Sequence, residues 1–280
     1  MLRSVLLPLV FTLGFTGCGT VVPDLHEPLD GPNGVNLVPQ IVQSIHCEVR
    51  NAVGFVLGSD ERQAERRNRG VRHADWLRKW GVQIVLTLTV KEKTSIEPTI
   101  VGMPPSPATA LFTITGSGEL SSEATRIDKL SYFYTIPELA AQGACPPGQV
   151  DRSGSSLLIK SDLKLAGWLN DQVVVSQSGP VRFPDSPAGI FRQDVLSHNV
   201  RFQVVTSGAV TPGWKLVRAV VNPSGPFLTA SRDRTHDLLV TFGPLDPTQP
   251  NALSRPAADS SLASQVGQAI STYSRAFSPF

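Results

Sequence analysis

The stretch "VQIVLTLTVKEK", Val82 to Lys93, decides the fold class because its apolar residues alternate along the chain. One side of the alternation carries Val82, Ile84, Leu86, Leu88 and Val90. A period of two places these side chains on one face of a β-strand and leaves the other face more polar. The sequence therefore predicts a half-buried strand, the first of a β-rich region.

Immediately upstream of this strand the apolar period is that of a helix. Between residues 41 and 57 one helical stripe carries Ile41, Val42, Ile45, Val49, Ala52, Val53 and Val56. Pro39 suits a first helical turn, and Gly58 with Ser59 is expected to end the helix. We therefore predict an N-terminal helix over 39–57.

Downstream of the strand, strand-like and helix-like segments alternate. Two strands are expected in "TALFTITGSGEL" and "ATRIDKLSYFYTI", joined by a polar turn at Ser121 and Ser122. A central helix is expected near 157–170, and a C-terminal helix at 259–275 with Asp259 and Ser260 as candidate caps. Leu262, Val266, Ile270 and Tyr273 form the apolar stripe of that last helix.

The region between the central and C-terminal helices has the most regular β pattern. Strand-length runs are "HNVRFQVVTSG", "GWKLVRAVVN", "PFLTAS" and "THDLLVTFG", with the polar "SRDR" expected to separate the last two. Short connections favour antiparallel neighbours. The predicted fold is α+β, with largely antiparallel sheet of about seven strands flanked by N-terminal, central and C-terminal helices.

The N-terminus has the features of an export signal. Residues 1–17 contain one cation, Arg3, then the uncharged run "VLLPLVFTLGF" and small residues at Thr16 and Gly17. This is the order of a signal peptide. The apolar run is shorter than the ~20 residues of a spanning helix, and Pro8 interrupts it. We therefore assign 1–17 to a signal peptide.

Cys18 directly follows "FTG", and this arrangement resembles the lipobox of bacterial lipoproteins. The resemblance implies a diacylglyceryl group on the Cys18 thiol and an acylated amino terminus, which palmitate labelling would detect. Phe15 departs from the leucine that is usual at this position of a lipobox. Gly19, rather than aspartate, then implies the outer membrane, facing the periplasm or the surface. The alternative is a secreted protein whose Cys18 is incidental.

The segment after Cys18 connects it to the body of the protein. Residues 18–38 are rich in Pro, Gly and Asp, which is typical of a flexible tether, and residues 39–280 form the α+β body. The break "SGPVRFPDSPAGIF" leaves two organisations open: a domain boundary within 176–196, or two halves that share one sheet.

The remaining cysteines form an even pair in an oxidising compartment. Cys47 lies opposite the apolar stripe of the first helix, where a buried structural thiol would be less expected. A bridge from Cys47 to the "GACPPG" loop at Cys145 explains this position. We predict that disulfide, with two unpaired thiols as the alternative.

Composition argues against several classes of function. The content of 41% hydrophobic and 17% charged residues is that of a globular chain, and the net charge of +2 gives no basis for nucleic-acid binding. Between Arg62 and Lys79, seven basic residues accompany only Glu65 and Asp75. This segment is either a surface for anionic lipid or polymer, or a solvated region with Trp76, Leu77 and Trp80 turned inward.

Catalytic and ligand-binding motifs are scarce. The sequence lacks H-E-x-x-H, zinc-type Cys/His spacing, G-x-S-x-G and phosphate loops, so no metal or cofactor is predicted. The best constellation is "SRDRTHD", in which Arg232, Arg234 and His236 would share a strand face and could bind a carboxylate or phosphate. The alternative is a charged strand edge that discourages aggregation.

Four stretches resemble uncharacterised bacterial exported proteins and lipoproteins: "CEVRNAV", "AGWL", "FQVVTSGAVTPGWKL" and "SRDRTHDLLVTFG". The resemblance implies a shared fold and no known activity. The expected function is a non-catalytic binding or structural component, whose partners are the membrane and another envelope protein or an anionic envelope polymer. The alternative is an exported hydrolase, with His198 or His236 as base in a site assembled from distant segments.

Overall fold

The computed structural model describes residues 21–25, 37–66, 70–106, 111–148, 156–179, 181–184, 194–216, 218–223 and 225–276, with backbone only from 272 onward. The helices are α1 (Leu37–Arg66), α2 (Ile136–Ala141), α3 (Leu157–Lys160), α4 (Leu165–Gln177) and α5 (Arg255–Ala276), with a short 3-10 helix at Asp75–Lys79. None of the helices within these ranges is both long and apolar enough to cross a membrane.

Eight strands form two antiparallel sheets, so the predicted α+β class is confirmed. The strands are β1 (Trp80–Ile96), β2 (Thr99–Gly102), β3 (Ile114–Ser117), β4 (Leu120–Thr135), β5 (Leu196–Val210), β6 (Trp214–Lys215), β7 (Ala219–Val221) and β8 (Leu228–Pro244). The large sheet has the order β4-β1-β8-β5, and the small sheet has the order β3-β2-β7-β6.

The residues group into two compact units. Unit 1 contains 1–25, 88–128 and 203–235, and unit 2 contains 26–87, 129–202 and 236–280. The four long strands contribute residues to both units, whereas the helices of the described ranges belong to unit 2 and the small sheet belongs to unit 1. The interval 176–196, where the sequence left a boundary open, falls within unit 2.

The core of unit 2 contains the alternating apolar residues of β1 and the apolar helical stripe of α1, as the sequence predicts. The β1 residues at 82, 84 and 86 and the α1 stripe from Ile41 to Val56 are buried, with Val42 only partly so. Helix α1 packs against α2, α3 and α4, and the Trp168 ring of α4 lies 5.9 Å from the Phe242 ring of β8. The second half of β8 is buried on both faces, as a central strand covered on each side should be.

Helix α1 continues beyond the predicted end at Gly58. Asp60 and Ala64 prolong the buried stripe at helical spacing. The Asp60 carboxylate accepts hydrogen bonds from the amides of His73 and Ala74, at 3.0 and 2.9 Å, so a buried acid replaces an apolar residue. The prediction of an end at 57 was therefore wrong because it followed only apolar residues.

The central helix is interrupted, and the C-terminal helix begins early. Helix α3 ends at Lys160, with Ser161 as its C-cap. Lys164, the N-cap of α4, adopts φ 60°, and its amide donates to the Asp162 carboxylate at 2.8 Å. Helix α5 begins at Arg255 with Pro256 in its first turn, so Asp259 and Ser260 are interior residues rather than caps.

Two predicted turns and one predicted strand differ in the structure. Ser121 and Ser122 belong to β4, and the turn lies at 118–119. "GWKLVRAVVN" divides into β6 and β7, and β8 runs straight through "SRDR". The polar residues remain in the strand because neighbouring strands satisfy them: Arg232 pairs with Glu92 of β1, and Asp233 accepts from Gln203 of β5.

Candidate functional site

The three residues predicted as an anion-binding face occupy alternate positions of β8. Arg232 and Arg234 belong to unit 1 and His236 belongs to unit 2. Arg234 and His236 are buried, and the Arg232 side chain is 15% exposed. Arg232 and His236 have partners within the chain, and anion binding by the three groups stays a prediction.

Arg232 connects β8 to two other segments of unit 1. Its guanidinium forms an ion pair with the similarly buried Glu92 of β1. It also donates to the main-chain carbonyl of Asp24. Because the planar guanidinium donates to two different acceptors at once, it fixes the positions of Glu92 and Asp24 relative to β8. Sequence reasoning missed Glu92 and Asp24 because they lie far from residue 232 in the chain.

The segment 21–25 is docked on unit 1 through these contacts. Pro23 is buried, and its neighbour Asp24 supplies the carbonyl to Arg232. A hydrogen bond to Asp128 raises the pKa of Arg126, and the charge of Asp24 adds a smaller effect of the same sign. This segment was expected to belong to the flexible tether, whereas its contacts place it against the body. Cys18 lies outside the described residues.

His236 forms the closest serine–imidazole contact of the described chain. Its Nδ1 lies 2.8 Å from Ser156 Oγ, and the Ser156 oxygen accepts the Leu158 amide at 3.2 Å. Because that oxygen accepts the amide at the start of α3, its hydroxyl hydrogen is available to be donated to Nδ1. Ser156 is thus both the N-cap of α3 and the partner of His236. Its position before "LLIK" is a cap signal that the sequence contains.

The pair has the chemistry of a nucleophile and a base but the location of a structural contact. Ser156 is 1% exposed and His236 is 5% exposed. A serine nucleophile must reach a substrate carbonyl or phosphoryl group, and this hydroxyl is shielded from solvent. Asp237, next in sequence, is paired with Arg201. The arrangement stabilises α3 against β8.

His198, the other predicted base, has a different environment. Its Nε2 lies 3.0 Å from the Leu163 carbonyl, so this nitrogen donates its hydrogen. Its ring lies 4.9 Å from the Trp168 ring. These contacts anchor β5 to the linker between α3 and α4. Among the residues that the structure describes, no group of three or more His, Cys, Asp or Glu is placed to hold a metal ion.

The predicted disulfide between Cys47 and Cys145 is present, with the two Cα atoms 5.5 Å apart. The next turn of α1 reinforces it. Arg50 donates to the carbonyls of Gln142, Gly143 and Ala144, and Asn51 Oδ1 accepts the Cys145 amide at 2.9 Å. Beside this junction, burial and the Arg50 charge lower the pKa of His46. The disulfide junction is thus a continuous covalent and polar contact between α1 and the loop after α2.

The basic segment contains compensating acids. Arg78 Nη2 lies 2.6 Å from Glu61 Oε1, and Arg72 lies within 4.0 Å of both Glu61 and Asp75. Trp76, Leu77 and Trp80 are buried, as the solvated alternative required. Arg67 and Arg69 lie outside the described residues. A surface for anionic lipid or polymer at this segment remains a prediction.

The small sheet of unit 1 exposes one apolar face. Ile100 of β2 pairs with Val221 of β7, and Val221 pairs with Trp214 of β6. Directly paired residues project to the same side of a sheet. Ile114 joins this face because it pairs with Gly102, two residues from Ile100. Ile100, Ile114 and Trp214 are 52–56% exposed.

A charge pattern marks the same region in the sequence. Residues 98–118 contain no Asp, Glu, Lys or Arg, and residues 202–231 contain only Lys215 and Arg218. The absence of acids points to a single surface only when the two segments are known to form one sheet, and the sequence alone does not reveal that pairing.

Helix α5 exposes a second apolar surface. Leu262, Val266 and Ile270, the predicted stripe, are exposed, whereas Ala257 and Ser261 form its buried side. Tyr273, the fourth predicted member, has no described side chain. Small residues therefore attach this helix to unit 2, and its larger apolar residues face outward.

No family model matches this chain. No curated protein matches it either. Among solved structures, it has a weak similarity to the Salmonella SPI-1 type III secretion injectisome secretin InvG in the open gate state, at 11% identity over 68% of this chain and 66% of that chain. The TM-score of 0.13 is too low to support a common fold or function.

Proposed function

We propose that this chain is a lipid-anchored component of the bacterial cell envelope that acts by binding a partner rather than by catalysis. The observation that carries the binding role is the exposed stripe Leu262, Val266 and Ile270 of α5. Residues at this spacing lie on one helical face, which a globular protein normally packs into its core. Here the stripe is left for another molecule.

The surroundings of the stripe favour a protein partner over an anionic polymer. Residues 260–274 contain no charged side chain, so this part of the helix offers no cations to a polyanion. An apolar helix face with small and polar neighbours fits a hydrophobic groove on a protein. The proposed partner is therefore another envelope protein that binds α5.

A double substitution tests the binding role. Replacing two exposed residues, Leu262→Ser with Ile270→Ser, should change the free energy of unfolding by less than ~0.5 kcal/mol, because neither packs in the core. The same variant should lose an envelope protein that co-purifies with the wild-type chain. A matched control is Val174→Ser with Val175→Ser, exposed apolar residues of α4. If the α5 variant and the α4 control retained the co-purifying protein equally, α5 would not be the binding face.

The anchor proposal rests on Cys18 and its lipobox-like context. Metabolic labelling with palmitate in a bacterium that processes lipoproteins should label the wild-type chain and not Cys18→Ala. Cys145→Ala should keep the label, because the proposed modification does not involve that residue. An unlabelled wild-type chain would exclude lipid attachment.

The Ser156–His236 contact supports hydrolysis as a second candidate function. It predicts that a fluorophosphonate probe labels the full chain at Ser156 and that His236→Gln reduces the labelling. The binding proposal predicts no labelling, because Ser156 is buried. Ser261→Ala, at another buried serine, is the matched control. Probe attached to Ser156 in the folded chain would establish the hydrolase candidate.

A further inference from the structure

We propose that the tip of unit 1 lies in the interface of the lipid bilayer that holds the anchor. The tip is defined as the small sheet and the described residues that flank its strands, within 98–106, 111–118, 211–216, 218–223 and 225–227. The proposal rests on the proposed lipid attachment for the membrane's presence. It adds which surface of the body meets that membrane and by what chemistry.

The apolar surface of the tip supports contact with a bilayer. The tip exposes Ile100, Leu111, Phe112, Ile114, Trp214 and Leu216. Three of these belong to the single sheet face described above, and Phe112 and Leu216 each lie within two residues of that face. Contiguous exposed apolar residues on a soluble body mark a site of protein or membrane interaction. The single exposed tryptophan has the amphipathic ring that is favoured at the bilayer surface.

The charges of the tip favour lipid as the occupant. Acidic residues are absent from 98–118 and 211–227, whose only charged side chains are Lys215 and Arg218. Both are cationic, and Lys215 follows Trp214 in β6 and is exposed on the opposite face of the small sheet. Cations flanking an exposed apolar surface complement anionic headgroups while the apolar side chains enter the acyl boundary. The adjoining strand segments differ, because 119–128 contains both acids and a base.

The attachment point of the N-terminal segment also favours this orientation. Pro23 is buried and Asp24 is bonded to Arg232, so the segment is attached to unit 1, the unit that contains the tip. Pro23 is five positions after Cys18, so the chain between them reaches at most ~18 Å. Along β8, Arg232 is four residues, or ~13 Å, from Leu228, which directly follows the tip segment 211–227. A lipid on Cys18 therefore brings unit 1 to the bilayer.

Photo-crosslinking of the full chain in cells tests this orientation. A diazirine-bearing amino acid is placed at position 112, 114 or 214 in the tip, or at position 266 in α5. All four positions are exposed, so none should disturb folding, and the Cys47–Cys145 disulfide reports on correct folding. After irradiation, adducts are identified by mass spectrometry, and palmitate labelling of Cys18 is measured in the same samples.

We expect phospholipid adducts from the tip positions and protein adducts from position 266. Lys215→Gln with Arg218→Gln should lower the yield of anionic-lipid adducts by up to roughly 25-fold, a factor of about five for each cation near an anionic surface. Protein adducts at the tip, or equal lipid yields at the tip and α5, in a palmitate-labelled chain would overturn the orientation and leave the anchor standing. Tip–lipid adducts in an unlabelled chain would support the orientation and refute the anchor.

Discussion

At the scale of single residues, Arg232 joins three segments of unit 1, because its guanidinium pairs with Glu92 of β1 and donates to the Asp24 carbonyl. Its alternation with Arg234 and His236 was readable from the chain, and β8 has that alternation. Its partners were not readable, because Glu92 and Asp24 reach it only through folding. Ser156 differs: its position before an apolar run predicts a helix cap, but only the structure shows that the same hydroxyl contacts His236.

Ser156→Ala should lower the free energy of unfolding by ~1–3 kcal/mol, since it removes a helix N-cap and the buried partner of an imidazole. Urea denaturation checks this value. Ser178→Ala, at an exposed serine in the turn after α4, should have an effect below ~0.5 kcal/mol. Equal midpoints for wild type and Ser156→Ala would show that the contact contributes nothing to stability.

His46 makes a pH-dependent contribution whose sign follows from its environment. Burial, assisted by the charge of Arg50, lowers the pKa of His46 in the folded chain below the ordinary value of 6.5. The unfolded chain therefore binds the proton more readily. Stability should be retained above pH 6.5 and should fall as the pH decreases from 6.5 through the lower folded-state pKa.

Denaturation of His46→Gln across this pH range checks the contribution. We expect the variant to lose less stability on acidification than the wild type. NMR titration of the wild-type imidazole should show the lowered pKa directly. Parallel acid curves for the two proteins would contradict the assignment.

At the scale of elements, apolar periodicity predicted the interior of most helices and strands. Their ends were misplaced where a polar residue lies inside the element. β1 and the α1 stripe were predicted because burial selects one face. The continuation of α1 through Asp60 and of β8 through "SRDR" was missed, because in both places a polar side chain is satisfied by a distant partner. The exposed faces of the small sheet and α5 were not predictable, because periodicity does not reveal whether a face is covered.

The disulfide junction should contribute strongly to stability. Cys47 and Cys145 are separated by 98 positions, and closing a loop of that length stabilises by ~4–5 kcal/mol in the chain-entropy model. Cys47→Ala with Cys145→Ala should lose about this much in urea denaturation. Reductant should destabilise the wild type and leave the double variant unchanged. If reductant left the urea midpoint of the wild type unchanged, the disulfide would not be formed in solution.

The attachment of α5 depends on a close approach at Gly243. A Cβ atom at this position would lie 2.5 Å from the Ala257 Cβ, so Gly243→Ala should force α5 away and cost ~1–3 kcal/mol. Gly267→Ala, on the same helix with open space around it, should be neutral or stabilising by up to ~1 kcal/mol. Hydrogen exchange across 255–271 measures both effects. Equal protection in the two variants would contradict this packing.

At the scale of the whole molecule, the two units differ in surface chemistry. Unit 2 contains the helices, the disulfide and the shielded Ser156–His236 pair. Unit 1 contains the docked segment 21–25 and the exposed apolar face of the small sheet. This division supports separate roles: the tip for the bilayer and α5 for a protein partner. Both proposed roles presuppose that the chain is held in the envelope.

The most direct test of that central claim is the mass of the amino-terminal peptide isolated from the membrane fraction of cells that produce the full chain. We predict a peptide that begins at Cys18 and carries a diacylglyceryl thioether and an acylated amine. An unmodified peptide that contains Cys18, or one that begins after it, would refute lipid attachment at Cys18.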